Sequence, residues 1–512
     1  MSRRELLPLL LVVALGAGLR LQWISAPLID AHRWRQVDTA SIARTFYEEG
    51  INPFYPQVNW GGRDAYVEME LPILPAVVAA LYELFGPQEY LGRVVTMLFS
   101  TATIVAIYAL AAELLGPAGA LPAALLVAVS PAAVFFGRTF MPDSMMLFFW
   151  VAGVLAFLRY ARTGSRRALW LGSAAATLAC LAKIPALMMF APIAAAAWRW
   201  KGTAALRDRA LLVALAIPLG ATVMWYWHAF RLYQDTGLTF GILIHPARTY
   251  PPEIAPGPWT TAFSKWSSLR LLASSGYYLT LLDRLYHILL LPFGFAGAVL
   301  GACVWKPRDG RIVADAWLGA IVLFVLVAAE ANIGHEYYQL PIIPVAALYF
   351  GAFARPVVET AVGSGRRAAA RLVGVTAVLA LVGYIGFFYS GVINSHFRPN
   401  SLDVRLLAAG SAVEQAVPSD ALVVVADDYG VTSPLLLHFA HRKGWSFDVA
   451  NLQPAVLDGL RRRGARYFAT TVMSRIEQET PHMAEYLRYL YRVPLVNAPG
   501  DTAVFDLGRR VE

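Results

Sequence analysis

Residues 90–114 read YLGRVVTMLFSTATIVAIYALAAEL, an almost unbroken apolar run that is long enough, as a helix, to cross the hydrocarbon core of a bilayer. Similar runs recur from the N-terminus to about residue 390. The 512-residue chain is 58% hydrophobic and 15% charged, whereas an ordinary soluble domain has about 25% charged residues. We therefore predict an α-helical multi-spanning membrane protein with about 11 to 13 helices.

The distribution of positive charge predicts how these helices are oriented. With the N-terminus inside, every predicted inner loop except the very short one near Gly116 is basic, for example at 159–167, 199–209 and 306–311. This positive-inside pattern predicts a cytoplasmic N-terminus and an outer C-terminal part. Spans are predicted near residues 6–24, 90–114, 119–136, 143–160, 168–182, 184–199, 209–230, 284–304, 313–330, 340–354 and 369–390.

Residues 391–512 differ from the rest of the chain, because charges are spread throughout and the apolar runs are short. We therefore divide the chain into a transmembrane domain, 1–390, which includes an outer loop 25–89 with interfacial helices, and a periplasmic α/β domain, 391–512. In the second domain a predicted strand ends at Asp427 and Asp428. We interpret these carboxylates as a turn and helix cap rather than a ligand site.

Charge and cysteine content exclude several classes of protein. The net charge of +9 is accounted for by the inner loops, so nucleic acid is not an expected partner. Cys180 and Cys303 both fall in predicted helices, which favours neither a disulfide framework nor a metal cluster. The first apolar run has no small-residue cleavage site before Trp23, so we predict a retained anchor rather than a signal peptide.

Polar residues gather in three outer segments: about 25–89, which includes DAHRWRQVDTA at 30–40; FGRTFMPD at 136–143; and NIGHEYYQLP at 332–341. One such residue alone is best interpreted as a solvated cap or anchor. Their recurrence in three loops favours a site, because ionisable groups near apolar surroundings are unfavourable unless they pair or serve a function. A fourth outer segment, 231–283, is rich in Pro, Gly and aromatic residues and is predicted to be a mobile substrate loop.

The outer loop 25–89 has its own predicted elements. DTASIARTFYEEG has apolar residues at helical spacing and predicts an interfacial amphipathic helix that ends at Gly50. NPFYPQVNWGG at 52–62 predicts a loop whose aromatic residues lie at headgroup level. Glu68 and Glu70 come directly before a short apolar run, for which we predict an interfacial or re-entrant helix. Both carboxylates are expected near Asp30 and Asp38.

These residues suit a reaction at the membrane surface in which a sugar leaves a lipid phosphate. Arg35, Arg93 and Arg138 are candidate phosphate ligands, although Arg93 has snorkelling from a helix end as an alternative. A general base must take the proton of the acceptor hydroxyl, and Asp30 and Asp38 are the candidates. Glu68 and Glu70 could also serve as the base or hold sugar hydroxyls.

A metal cofactor is not favoured by the same residues. Asp30, His32, Asp38 and Glu70 have side chains of ligand type, but their spacing matches no metal motif. We therefore predict no cofactor.

Four stretches resemble the GT-C-type glycosyltransferases that use polyprenyl-phosphate sugars, in the bacterial branch similar to protein O-mannosyltransferases and lipid A aminoarabinose transferases. The stretches are DAHRWRQVDTASIAR, VEMELPILP with the following LFG and Arg93, GRTFMPD, and HEYYQLPIIP. The resemblance implies an inverting transfer of a hexosyl or pentosyl group from a lipid-phosphate sugar to a hydroxyl acceptor, at the outer face of a bacterial inner membrane. It also implies an acidic catalytic residue in the first outer loop, often in an Asp-Glu pair.

This sequence departs from the family pattern in the first loop. Alignment through residues 42–44 places Arg35 and Gln36 near the family's acidic pair, so the choice of base stays open between Asp30 and Asp38. In the first loop, His32 and Gln36 are further candidate substrate-binding residues. In the later loops, the resemblance implies Asp143 as a site residue, Lys183 where it could meet a phosphate, and His335, Tyr337 and Tyr338 as donor-site residues.

Two other classes of protein are weighed against the transferase. A transporter or flippase of lipid-linked sugars would share the polar membrane-edge site, but should show charged residues deep in several helices and an internal repeat. A membrane-anchored receptor would not explain the polar first loop. The sequence leaves open which sugar is moved and whether the acceptor is a protein, a lipid or a glycan.

Overall fold

The computed structural model describes residues 3–242, 267–306, 310–363, 383, 391–431, 433–491 and 501–508. The chain forms two compact units. The first contains residues 1–25, 92–225 and 264–397, and the second contains residues 26–91, 226–263 and 398–512. We predicted that the outer loop 25–89 belongs to the transmembrane domain 1–390. In the structure, residues 26–91 belong instead to the same unit as residues 398–512.

Helices dominate the chain up to residue 363. Four of them, α4, α7, α10 and α16, are each long and apolar enough to cross a membrane, and a bent pair of helices raises this number to five among the described residues. Shorter apolar helices, including α1 and α5, accompany them. The bounds are α1 Arg3–Arg20, α2 Arg33–Glu49, α3 Ile73–Phe85, α4 Tyr90–Leu115, α5 Pro117–Val129, α6 Pro131–Phe135, α7 Asp143–Thr163, α8 Arg166–Ala182, α9 Phe190–Lys201, α10 Arg209–Thr236, α11 Leu269–Leu272, α12 Ser275–Arg284, α13 Leu291–Val304, α14 Ile312–Val327, α15 Ala329–Gly334 and α16 Ile342–Gly363.

Several predicted spans are not single α-helices. The span at 184–199 starts as a 3-10 helix, the span at 313–330 is interrupted at Ala328, and two further spans are broken beside proline residues. The span predicted at 119–136 is broken between α5 and α6 at Ser130, because Pro131 has no N–H and disfavours helical geometry in the residue before it. The span predicted at 284–304 is a pair of helical segments, Ser275–Leu289 and Leu291–Val304, which bend by 109°. The bend occurs where Leu291 has a positive φ of 61° and is followed by Pro292. The span predicted at 369–390 lies outside the described residues except for residue 383.

Small residues let the helices of the first unit approach closely. A Cβ atom on Gly301 of α13 would lie 1.8 Å from the carbonyl oxygen of Tyr349 on α16. A Cβ atom on Gly351 of α16 would lie 2.4 Å from the carbonyl oxygen of Gly119 on α5. Close approach through glycine is the typical packing of membrane helices, which lack a hydrophobic driving force between them. These contacts hold α5, α13 and α16 together.

The second unit begins with the outer-loop helices. A helix that ends at Gly50 is confirmed as α2, which ends in front of Gly50 with a φ of 101° at that residue. It begins at Arg33, before the predicted stretch, and residues 36–43 are all buried, so it is not the amphipathic surface helix that was predicted. The apolar run after Glu70 forms α3, between Pro72 and Gly86. Whether these helices lie in the membrane interface stays a prediction.

A four-stranded sheet organises the C-terminal residues of the second unit. Its order is β2-β1-β3-β4, in which β1 pairs in parallel with β2 and β3, and β4 pairs antiparallel with β3. The strands are β1 Leu422–Ala426, β2 Gly444–Phe447, β3 Ala465–Thr470 and β4 Ala503–Asp506, and the helices are Ser401–Ala416, Leu435–Phe439, Pro454–Arg462, Met473–Glu479 and Pro481–Leu490. This mixed arrangement is the α/β architecture predicted for the region.

Asp427 makes the turn that follows β1. Its carboxylate accepts hydrogen bonds from the backbone N–H groups of Tyr429 and Gly430 and from the hydroxyl of Ser433. The side chain is fully buried. The interpretation of this residue as a turn former is therefore confirmed, although the helix cap that was expected with it lies at Pro434.

Candidate active site

Asp38 is the buried carboxylate at the centre of the second unit's polar cluster. It lies on α2, is 2% exposed, and accepts a 3.0 Å hydrogen bond from the indole N–H of Trp60. Burial raises the pKa of the Asp38 carboxyl to about 7, against the lowering effects of the Trp60 hydrogen bond and the Arg35 charge. A carboxyl group with such a pKa can exchange a proton near neutral pH, as a general base must.

Asp30 is also buried, just before α2. Its Oδ1 accepts a 2.6 Å hydrogen bond from the Gln36 amide, which also donates to the carbonyl of Ala31 at 2.9 Å. His32 stands between them in the left-handed region, with a φ of 56°, and starts the helix. Asp30, His32 and Gln36, all predicted as site residues, therefore form one tight turn at the beginning of α2.

Arg35 and Glu70 form an ion pair beside Asp38. Glu70 is buried, and the Arg35 guanidinium lies over the ring of Phe240, 4.7 Å from its centroid. Both charges act on the pKa of the Asp38 carboxyl: Arg35 lowers it and Glu70 raises it. Arg35, Asp38 and Glu70 are thus one electrostatic group.

Glu68 is held by a strand-like pairing with residues 238–240. Its backbone N–H donates to the carbonyl of Leu238 at 3.0 Å, and the N–H of Phe240 donates to the carbonyl of Glu68 at 2.9 Å. The hydroxyl of Thr239 donates to its carboxylate. The described start of the predicted substrate loop 231–283 is therefore fixed beside the carboxylates, and residues 243–266 of that loop lie outside the described part of the chain.

A second cluster of predicted site residues lies in the first unit. Lys183 follows α8, and its Nζ lies 2.7 Å from Oδ1 of Asp143 in the first turn of α7. The same Nζ lies over the rings of Tyr337 and Tyr338, at 4.2 Å and 4.9 Å from their centroids. His335 stacks on Tyr337 with a centroid distance of 5.0 Å. The cluster joins three separate segments of the chain around one buried ammonium group.

Arg93 and Arg138 are both fully buried in the first unit. Arg93 donates a 2.9 Å hydrogen bond to the carbonyl of Trp23, so the snorkelling interpretation is wrong for this residue. The Arg138 guanidinium lies 4.3 Å from the ring centroid of Phe397 and 5.4 Å from that of Phe135. Buried guanidinium groups in apolar surroundings are typical of functional positions in membrane proteins.

Trp60 is the site residue that the sequence analysis misplaced. We expected the aromatic residues of 52–62 at headgroup level, but Trp60 is 1% exposed and bonded to Asp38. Thr239 and Phe240 were also missed, because nothing in their local sequence indicates pairing with Glu68 and Arg35. The two glycines after Trp60 were the available signal, since both have positive φ and permit a close backbone approach.

The described residues contain no group of three or more His, Cys, Asp or Glu side chains that could hold a metal ion. Asp30, His32, Asp38 and Glu70, which have ligand-type side chains, do not form such a group there. The carboxylates are instead bound by amide, indole, hydroxyl and guanidinium donors.

One family model matches part of this chain, and several solved structures have a similar fold. Residues 70–227 match the family model described as dolichyl-phosphate-mannose-protein mannosyltransferase. The fold is similar to that of ArnT from Cupriavidus metallidurans in the apo state, with a TM-score of 0.63, 14% identity and 97% of each chain covered. It is also similar to ArnT bound to undecaprenyl phosphate, with a TM-score of 0.61, 13% identity and 97% of each chain covered.

A third similar structure is the archaeal oligosaccharyltransferase AglB from Archaeoglobus fulgidus, in complex with an inhibitory peptide and a dolichol-phosphate. Its TM-score is 0.56 at 14% identity, and the match covers 96% of this chain and 72% of AglB. None of the curated protein sequences matches this chain. The resemblance to the GT-C glycosyltransferases is confirmed, and so is the class of helical membrane protein, whereas the number of 11 to 13 helices stays a prediction.

Proposed function

We propose that this protein is an inverting glycosyltransferase that moves a sugar from a polyprenyl-phosphate donor to a hydroxyl acceptor. The matched family model and the fold shared with ArnT and AglB support the class of reaction. The observation that carries the proposal is a buried carboxyl group, Asp38, whose pKa lies near 7 beside the Arg35–Glu70 ion pair. The ionised form of this group at neutral pH is a base within a largely water-excluded site.

In the proposed reaction the acceptor hydroxyl oxygen attacks the anomeric carbon while Asp38 takes its proton. The bond between the anomeric carbon and the phosphate oxygen breaks, and the lipid phosphate leaves with the bonding electrons. One displacement inverts the configuration at the anomeric carbon, and no second carboxylate is needed as a nucleophile because the phosphate already activates the donor. We assign Asp38 as the base and Asp30, Glu68 and Glu70 as groups that bind hydroxyls.

For the donor phosphate we propose Lys183 as the principal ligand, with Arg93 and Arg138 as further cationic groups. The support for Lys183 is its setting: the ammonium group is 8% exposed, is paired with Asp143 and is flanked by two tyrosine rings. Ionisable groups kept in such surroundings are typical of functional positions in membrane proteins. Asp143 and His335 hold the ammonium group and the rings in place.

We propose that the reaction needs no metal ion. The carboxylates of the described site already accept hydrogen bonds from protein side chains, such as the Trp60 indole and the Arg35 guanidinium. Lysine and arginine side chains can neutralise the charge of a phosphate leaving group. Addition and removal of a chelator during turnover is the test. Loss of transfer in EDTA that Mg²⁺ or Mn²⁺ restores would overturn this part of the proposal.

We also propose the orientation given by the positive-inside pattern, with a cytoplasmic N-terminus and a periplasmic C-terminal domain in a bacterial inner membrane. Alkaline phosphatase fused after residue 512 should be active in this orientation, and a fluorescent protein that folds only in the cytoplasm should be dark at the same position. The opposite result would reverse the topology.

The purified protein is to be tested with radiolabelled undecaprenyl-phosphate monosaccharides, alongside Asp38→Asn and Asp30→Asn. Asp64→Asn is the matched control, since Asp64 is an exposed carboxylate of the same outer loop. We expect one donor to be turned over, Asp38→Asn to reduce turnover by at least 100-fold while donor binding persists, and Asp64→Asn to behave as wild type. If the protein moves lipid-linked sugars across vesicle membranes and turns over none of the donors, the transferase proposal is refuted and the protein is a transporter.

A further inference from the structure

The edge of the C-terminal sheet is completed by the outer loop that carries Trp60. Gly444, the first residue of β2, donates its N–H to the carbonyl of Asn59 at 2.9 Å. Its carbonyl accepts hydrogen bonds from the N–H groups of Gly61 and Gly62, both at 2.7 Å. Trp60 thereby pairs in parallel with Gly444. Residues 59–62 act as a short additional strand, held by the backbone on both sides of the indole.

Glycine is required on both sides of this junction. A Cβ atom on Gly444 would lie 1.7 Å from the carbonyl oxygen of Val423 in β1. A Cβ atom on Gly62 would lie 2.9 Å from the ring of Trp445. The Asn59 amide adds a 2.9 Å hydrogen bond to the carbonyl of Pro434. Residues 59–62 are therefore closely packed against the C-terminal sheet and have little room to move.

The C-terminal residues also hold both ends of α2. At its beginning, Arg33 pairs with Asp403 at 2.5 Å and donates a 2.7 Å hydrogen bond to the hydroxyl of Tyr429, which in turn donates to Asp403 at 2.6 Å. At its end, Lys443 lies 2.5 Å from the carboxylate of Glu49. Asp403 is buried, so the first of these anchors is not a loose surface pair.

From these contacts we infer that the C-terminal α/β domain is a positioning element for the candidate base: it fixes α2 at both ends and fixes Trp60 through Gly444, so that the indole N–H stays aligned with the Asp38 carboxylate. The catalytic meaning of this inference rests on the proposed function, because it takes Asp38 as the base. The residues that transmit the effect, Gly444, Gly62 and Arg33, are positioning residues.

The direction of the effect follows from the groups around Asp38. Hydrogen bonds from Trp60 and Trp34 and the charge of Arg35 favour the ionised carboxylate, and the charge of Glu70 opposes it. Burial is the largest cause of the raised pKa of Asp38. A small shift of the loop that breaks the Trp60 hydrogen bond leaves this burial and the other groups in place. The proton should then be held more tightly, and the midpoint of Asp38 titration should rise.

The experiment is an infrared titration of the full-length protein, in which Asp38 is identified from the difference between each variant and its Asp38→Asn derivative. Trp60→Phe removes the donor directly, and Gly62→Ala forces the loop away from Trp445. Gly50→Ala is the matched control: Gly50 has a φ of 101° against 105° for Gly62, but a Cβ atom there meets nothing within 4 Å. The backbone strain from a positive φ is thus similar in Gly50→Ala and Gly62→Ala, but only Gly62→Ala adds a steric clash, with Trp445.

We expect Trp60→Phe and Gly62→Ala to raise the titration midpoint by about one pH unit, since a hydrogen bond to a charged group is lost. Gly50→Ala should leave the midpoint unchanged. Hydrogen exchange should show faster exchange at the amides of Gly61, Gly62 and Gly444 in Gly62→Ala. Faster exchange there with an unchanged midpoint would overturn the inference.

A second variant keeps the test decisive if Gly62→Ala does not fold. Asn59→Ala removes only the bond to Pro434, and we expect it to raise the midpoint by a smaller amount in the same direction. The titration needs no substrate, so it separates the two proposals. A wild-type protein without transfer activity would refute the proposed function, whereas the titration decides the positioning role independently.

Discussion

Trp60 and Asp38 form a buried donor–acceptor pair, with the indole Nε1 3.0 Å from the carboxylate Oδ1. An indole can donate a hydrogen bond but cannot accept one, so this contact stabilises the ionised form of Asp38 without supplying a proton. Burial acts in the opposite direction and disfavours the charge. The two effects together leave the pKa of Asp38 at about 7. A fully solvated carboxylate would be a weaker base, and a buried one without a donor would stay protonated at neutral pH.

The first prediction concerns stability. The folded-state pKa of Asp38 is raised above its ordinary value of 3.8, so the stability that this group contributes is present below about pH 4 and is lost as the pH rises to about 7. Asp38→Asn removes the charge and should stabilise the protein at pH 8 by on the order of 3 kcal/mol while abolishing transfer. Thermal unfolding in detergent at pH 8 and pH 5 measures the difference.

The gain in stability from Asp38→Asn should be smaller at pH 5 than at pH 8. Asp64→Asn, in an exposed part of the same outer loop, should show no such pH dependence. A destabilised Asp38→Asn variant at pH 8 would mean that the carboxylate makes a net favourable contribution to the fold, against this account.

The second prediction uses the two charges beside Asp38. Arg35 lowers the pKa of Asp38 and Glu70 raises it, so their neutral variants should have opposite effects. We expect Arg35→Gln to move the acidic limb of the pH profile of kcat/KM to higher pH, and Glu70→Gln to move it to lower pH, each by about half a pH unit or more. Shifts of the same sign in both variants would show that the ion pair acts through structure and not through charge.

The third prediction concerns Lys183. Lys183→Met should raise KM for a polyprenyl-phosphate sugar by about 10- to 100-fold, because a charge-assisted hydrogen bond to phosphate is lost. Lys201 is a matched control, since it pairs with Asp208 at the same 2.7 Å distance and lies 4.3 Å from the ring centroid of Tyr160. Lys201→Met should leave KM unchanged.

Loss of Lys183 also leaves the buried Asp143 carboxylate without its ion pair, which by itself could lower stability. The double variant Lys183→Met with Asp143→Asn removes both charges and restores neutrality. The double variant should be as stable as the wild type, and its KM should be as high as that of Lys183→Met. A normal KM in that double variant would remove Lys183 from donor binding.

The helices of the site were predictable where a local pattern specifies them. Apolar spacing and Gly50 gave the position of α2, and the alternation of apolar runs with basic loops gave the helical class. Proline positions were also informative in hindsight: Pro131 and Pro292 follow the points where two predicted spans are broken. These are local effects, and each acts within a few residues of its cause.

The partners within the site were not predictable, because they depend on distant parts of the chain. Asp38 was a candidate from its residue type, but its partner Trp60 lies on a loop whose backbone pairs with Gly444, in the distant C-terminal part of the chain. Likewise Lys183 and Tyr337 were separate candidates until the fold brought the ammonium group over the ring. Residue types indicate which side chains could take part in the chemistry, whereas tertiary contacts determine which of these side chains lie together in one site.

The last prediction tests the turn that presents Tyr429 to Arg33. Asp427 accepts three hydrogen bonds in this turn and is fully buried, whereas its neighbour Asp428 is exposed. Asp427→Ala leaves two backbone N–H groups unsatisfied and should destabilise the C-terminal domain by about 2 to 3 kcal/mol. Asp428→Ala should change stability by less than about 0.5 kcal/mol.

Hydrogen exchange at β1 and at residues 429–431 is the measurement, because it reports the stability of this turn inside the intact protein. Exchange should accelerate in Asp427→Ala and stay at the wild-type rate in Asp428→Ala. Since Tyr429 anchors the beginning of α2 through Arg33, the loosened turn should also accelerate exchange in the first turn of that helix. Faster exchange confined to the sheet would mean that α2 is held without this anchor, so that the sheet edge at Gly444 alone positions Asp38.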